Sequence, residues 1–152
     1  MSLSKSRAKS HIPEGLRAVT AQLVVADARR LIAFCEAAFG AEVMDLMPAP
    51  DGGVMHGHMR IGDTVLFLSD AKGFAVPTAA NLFVYVPDAD RTVAAAVSAG
   101  AKVAVPLADM FWGDRWGMVE DPFGNIWQIA THQEDLTPDE MKRRMAAGGA
   151  PP

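Results

Sequence analysis

At 152 residues, half of them hydrophobic, the chain has enough apolar material for one compact domain or two small halves sharing a core. Its 14 Lys and Arg against 18 Asp and Glu leave a net charge of −4, spread without a basic stripe, which excludes a nucleic-acid surface. One cysteine, Cys35, excludes an internal disulfide, no apolar run is long enough for a membrane span, and a reduced cytoplasmic setting is the default expectation.

Residues 1–14 read as a mobile polar arm: Lys5, Arg7 and Lys9 are followed by no apolar stretch, so this is not a signal peptide, and His11 falls within it. Val19 to Val25 predicts a strand. Asp27 then suits a helix N-cap, and Leu31, Phe34, Cys35, Ala38 and Phe39 recur at helical spacing until Gly40 ends the helix. Cys35 lies on that stripe and is expected as a small buried apolar residue. Strands are predicted over Ala41–Met47, Val54–Ile61 and Thr64–Leu68, the last two joined by a tight Gly62-Asp63 turn.

After a linker over Asp70–Ala80 the order starts again. Leu82 to Val86 predicts a strand, Asp88 a second N-cap, and Val93, Ala96 and Val97 a short helix. Ala101 to Val105 predicts a strand broken by Pro106, and Phe111 to His132 supplies a loop and two strands joined by the turn Asp121-Pro122-Phe123-Gly124-Asn125. Val25-Ala26-Asp27-Ala28 aligns with Val86-Pro87-Asp88-Ala89, and Gly40-Ala41-Glu42-Val43 with Gly100-Ala101-Lys102-Val103. The reading is α+β: two βαβββ modules, 16–70 and 81–132, form one cup-shaped mixed sheet within a single domain over 15–132. Residues 133–152 add a helix, capped by Thr137 with Pro138 and Glu140 behind it in a capping box, and a frayed tail.

The candidate chemistry sits in two places. Phe111, Trp112 and Trp116 surround Asp114 and Arg115, which suits an aromatic lid with a guanidinium for a carboxylate or phosphate, or equally a local ion pair under a structural cover. His56 and His58 are two apart in a strand and share a face, from which a displaced metal site with His132 or Glu120 could be assembled. His-x-His also suggests a cupin, but the repeat with internal helices argues against it. The chain has no Gly-rich phosphate loop after its first strand, no Cys-x-x-Cys pair and no nucleophile turn.

The repeat, the helix motif carried by Phe34 and Phe39-Gly40 (with Cys35 where Tyr is usual) and the Asp-Pro-x-Gly-Asn turn resemble the vicinal oxygen chelate superfamily of glyoxalase I, bleomycin-resistance proteins and extradiol dioxygenases. Gly52 to His56, Phe111-Trp112-Gly113-Asp114-Arg115 and Ala130-Thr131-His132-Gln133-Glu134-Asp135 are similar to its PhnB-like branch. The resemblance implies a pocket enclosed by two half-barrels and a homodimer. It also implies metal ligands at four positions, which fall here on Thr20, Phe67, Asn81 and Gln128. A divalent metal wants carboxylate, imidazole or carbonyl ligands, so this set argues against the superfamily's metal chemistry.

Three functions stay open at this point. The first is a metal-independent small-molecule binding protein, using Thr20, His56, His58, Phe67, Asn81, Phe111, Trp112, Arg115, Trp116 and Gln128, with no cofactor expected and neither nucleic acid nor membrane as partner. The second is a metal-dependent lyase or dioxygenase relative with a divalent metal at the displaced histidines. The third is a non-catalytic structural or regulatory dimer.

Overall fold

The computed structural model describes residues 6–148; residues 1–5 of the expected arm and 149–152 of the expected tail lie outside the described residues. The elements run β1 (Gln22–Val25), α1 (Ala28–Phe39), β2 (Glu42–Pro48), β3 (Val54–Ile61), β4 (Thr64–Asp70), β5 (Asn81–Tyr85), α2 (Ala89–Ser98), β6 (Lys102–Asp109), β7 (Asp114–Glu120), β8 (Ile126–His132) and α3 (Pro138–Ala146). The fold is α+β and the βαβββ order occurs twice. The strands form two four-stranded sheets, ordered β1-β4-β3-β2 and β5-β8-β7-β6. In each, the first strand pairs parallel with the last and the other pairs are antiparallel. Each module thus supplies one four-stranded mixed sheet, as the repeat predicts, and among the described residues no ladder joins the two.

The two helices begin in the same way. Asp27 Oδ1 accepts from Arg30 N and Asp88 Oδ1 from Arg91 N, both at 3.1 Å, so each aspartate satisfies a first-turn donor. The first residue of each helix is also tied to the end of its own module's last strand. Ala28 N donates to Asp70 Oδ1, and Ala89 N donates to Thr131 Oγ1, both at 2.8 Å. Gly40, at φ +65°, closes α1 in the left-handed conformation that a side chain disfavours.

One core serves both modules. Leu23, Leu31, Phe34, Met59 and Leu68 meet Ala96, Val119, Trp127 and Ile129 in it, α1 lies against α2, and the Phe39 ring sits 4.7 Å from that of Trp127. Cys35 is fully buried among them, and burial pushes its thiol well above the usual range, so it is apolar filling as expected. Each sheet therefore has one face on the helix-covered core and one face open.

Several boundaries differ from the sequence reading. β1 begins at Gln22: Val19 is 87% exposed, and the last backbone link from β4 runs from Phe67 N to Ala21 O. Val19 and Thr20 have strand propensity but no ladder partner among the described residues. Pro106 does not break its strand. β6 is the edge of its sheet, where a missing N–H is tolerated, and its register against β7 shifts between Val105 and Ala108. Thr137 Oγ1 caps α3 by accepting from Glu140 N at 3.2 Å, but the Glu140 carboxylate turns to Arg143 and Arg144, so only half of the capping box forms. Among the described residues no helix is long and apolar enough to cross a membrane.

Candidate functional site

Strand alternation sets the open face of the second sheet. Asn81, Phe83 and Tyr85 of β5 share it with Trp116 and Met118 of β7 and with Gln128 and His132 of β8, while Trp127, Ile129 and Val119 point into the core. A hydrogen-bond chain crosses this face. Trp116 Nε1 donates to Gln128 Oε1 at 3.1 Å, and Gln128 Nε2 donates to Asn81 Oδ1 at 3.0 Å. An indole N–H can only donate, so it fixes the orientation of both amides. The chain therefore ends in the Asn81 Nδ2–H group, which has no hydrogen bond among the described residues and belongs to an exposed residue.

Beside this chain lies a carboxylate hub. Asp114 is 2% exposed and accepts from Tyr85 Oη at 2.9 Å, Trp112 Nε1 at 3.0 Å and His132 Nδ1 at 2.8 Å. The other imidazole nitrogen, Nε2, meets Asp135 at 2.7 Å. Asp135 first and Asp114 second raise the His132 pKa above its ordinary value. Tyr85 is raised as well, mainly because its hydroxyl donates to Asp114. The Trp112 ring stands edge-on to Trp116 with centroids 5.6 Å apart, and Phe111 stands edge-on to Trp112 at 5.2 Å. The segment after β8 straps this rim down. Gln133 N and Glu134 N both donate to Gly113 O, and Arg144 of α3 links Glu134 to the Phe111 carbonyl.

Arg115 does not join this face. It alternates away from Trp116 and its guanidinium binds Asp90 of α2 at 2.7 and 3.0 Å and Asp109 of β6 at 3.2 Å. The two aspartates raise its pKa further, and Arg115 holds Asp90 below the usual carboxylate range. Of the two sequence readings of Arg115, the geometry realises the ion pair, though with Asp90 and Asp109 and not with Asp114.

The open face of the first sheet carries His56, His58 and Phe67. The two Nε2 atoms lie 3.1 Å apart, His58 stacks on Phe67 with centroids at 4.5 Å, and His56 meets the same ring at 4.7 Å. Neither His132 nor Glu120 joins them; His132 is held in the Asp114 hub. Among the described residues no group of three or more His, Cys, Asp and Glu is placed to hold a metal ion.

The sequence-predicted residues thus fall into groups. Asn81, Gln128, Trp116, Trp112 and Phe111 come together, and so do His56, His58 and Phe67. Thr20 precedes β1 and lines a cleft of about 610 Å³ with Phe83 and Tyr85, at the junction of the modules. The four positions expected for metal ligands do not fit a divalent metal: Phe67 has no donor atom, and the Gln128 and Asn81 oxygens already accept hydrogen bonds. Sequence reasoning missed Tyr85, the hub role of Asp114 and the imidazole contact of Asp135. Period-two alternation from Asn81 through Phe83 to Tyr85 was the available signal for the first.

The family model of the Glyoxalase/Bleomycin resistance protein/Dioxygenase superfamily matches residues 17–129. The chain belongs to this superfamily. An uncharacterized protein of Mycobacterium bovis is 34% identical over 143 residues, covering 87% of this chain and 94% of its own. Among solved superfamily-like folds, TioX from Micromonospora sp. ML1 is 25% identical with a TM-score of 0.65, covering 74% of this chain and 96% of its own. The PhnB protein from Bacillus cereus is 15% identical with a TM-score of 0.60, covering 76% and 99%; at that identity it shares the fold.

Proposed function

We propose that the chain is a small-molecule binding protein of the PhnB-like branch. Its ligand would be planar, present a hydrogen-bond acceptor, and bind on the open face of β5, β8 and β7 without a metal ion at the superfamily's ligand positions. The observation that carries this reading is the Trp116–Gln128–Asn81 chain, which spends both amide oxygens internally and leaves an amide N–H of an exposed residue without a hydrogen bond among the described residues. Trp112, Phe83 and Tyr85 supply ring faces next to it, in keeping with pockets that combine apolar walls with a few fixed polar groups. Phe83 and Tyr85 are 45% and 61% exposed, which supports a homodimer in which a second copy closes the cup over this face.

The test is thermal-shift screening with planar carbonyl compounds, carboxylates and N-heterocycles, followed by titration of the hits. A true ligand raises the melting temperature. Asn81 is exposed, so Asn81→Ala should fold normally and weaken that ligand by about tenfold, the worth of one hydrogen bond. A panel without shifts, or equal affinity for Asn81→Ala, overturns the reading. Light scattering after size exclusion tests the dimer.

A further inference from the structure

We propose that His56 and His58 form a two-imidazole chelate for a borderline divalent ion such as Ni²⁺, Cu²⁺ or Zn²⁺. This site lies on the first sheet, separate from the Asn81 face. Both side chains project from β3 to the open face because residues two apart on a strand point the same way. Phe67, across the ladder from His58, positions both rings: one is stacked on it and the other is edge-on. The rings are nearly perpendicular, at 87°, and bring their Nε2 atoms to 3.1 Å. Two metal–nitrogen bonds of about 2.0–2.1 Å at angles between square and tetrahedral put their nitrogens about 2.9 to 3.3 Å apart. The pair is therefore already spaced as two ligands of one ion, and borderline ions favour imidazole.

His56 also lines a cleft of about 740 Å³ with Gln22, Met47, Met55 and Phe74, so an ion on the pair sits at the edge of that cleft. A bound ion would replace the 3.1 Å Nε2···Nε2 contact with two metal–nitrogen bonds. The proposal does not depend on the Asn81 chain, so it can fail or hold independently of the proposed small-molecule site.

The experiment is isothermal titration of the full chain with NiCl₂, with CuCl₂ followed by electron paramagnetic resonance. The expected results are one ion per chain and nitrogen hyperfine structure from two imidazoles. His56→Ala and His58→Phe should each weaken Ni²⁺ at least tenfold; the second keeps a ring against Phe67 and so guards against loss of packing. His132→Ala should bind as the wild type does. Absence of stoichiometric binding by the wild type, or equal binding by His56→Ala and His58→Phe when both are folded by circular dichroism, overturns the proposal.

Discussion

Removing the carboxylate of Asp121 should bring the chain close to unfolding. Asp121 is 4% exposed and serves four donors. Oδ1 accepts from Phe123 N at 2.8 Å and Asn125 N at 3.0 Å, and Oδ2 accepts from Asn125 Nδ2 and Trp127 Nε1, both at 2.9 Å. Trp127 is fully buried and Asn125 is 1% exposed, so Asp121→Ala leaves two donors without water. Each costs about 1–3 kcal/mol, and the loss of the two turn contacts brings the total to about 3–9 kcal/mol. That is a large share of the roughly 5–15 kcal/mol typical of a folded domain. Asp121→Asn keeps one oxygen but turns an amide N–H toward one pair of donors, and should cost about half as much. Urea unfolding followed by Trp fluorescence reads both variants. With a slope of about 2 kcal/mol/M, the Asp121→Ala midpoint should fall by roughly 1.5–4.5 M. A loss under about 1 kcal/mol for Asp121→Ala would show that the turn does not depend on this carboxylate.

The His132 bridge should stabilise most at low pH. Its pKa is raised in the folded state, so the contribution is complete below the unfolded value of about 6.5 and is lost as pH rises through the folded value. His132→Gln should therefore lower the melting temperature more at pH 6 than at pH 9, and an equal loss at both refutes the bridge. Gly113→Ala should destabilise by about 2 kcal/mol or more and loosen the C-terminal strap, since Gly113 has φ +96° and an added Cβ meets the Glu134 carbonyl oxygen at 2.5 Å; hydrogen exchange at Gln133 and Glu134 reads this directly. Arg115→Ala should lower the melting temperature only slightly, because Asp90 and Asp109 are 60% and 71% exposed, and that loss should shrink in high salt. Cys35 should resist iodoacetamide in the native state and react on unfolding, because its thiolate is disfavoured by burial.

The repeat was legible because each half announces itself with local chemistry. Asp27 and Asp88 are caps, Gly40 is a stop, and Asp121-Pro122-Phe123-Gly124-Asn125 is a turn; short-range rules suffice for all of these. Pro106 was misread because the rule against proline in strands depends on whether the strand is central or at an edge, and sheet order is a long-range property. The sequence does not decide Arg115 for the same kind of reason: its partners lie on α2 and β6, and only tertiary structure brings Asp90 to it. The pairing of Asn81 with Gln128 crosses 47 residues of chain and depends on the parallel β5–β8 register. The sequence could place each residue on a strand, but it could not say that their amides would bond to one another and leave one N–H without a hydrogen bond among the described residues.

The ties at the helix starts have a consequence for how the chain assembles. Ala28–Asp70 and Ala89–Thr131 each span 42 residues, and every ladder lies within the same intervals or their immediate flanks. Each half can therefore close its own loop and complete its own backbone bonding before the other is in place, and two short closures are faster than one long one. What is left for the final step is side-chain docking, with α1 against α2 and Phe39 against Trp127. The backbone bonding is thus internal to each half, and among the described residues the halves meet through side chains alone.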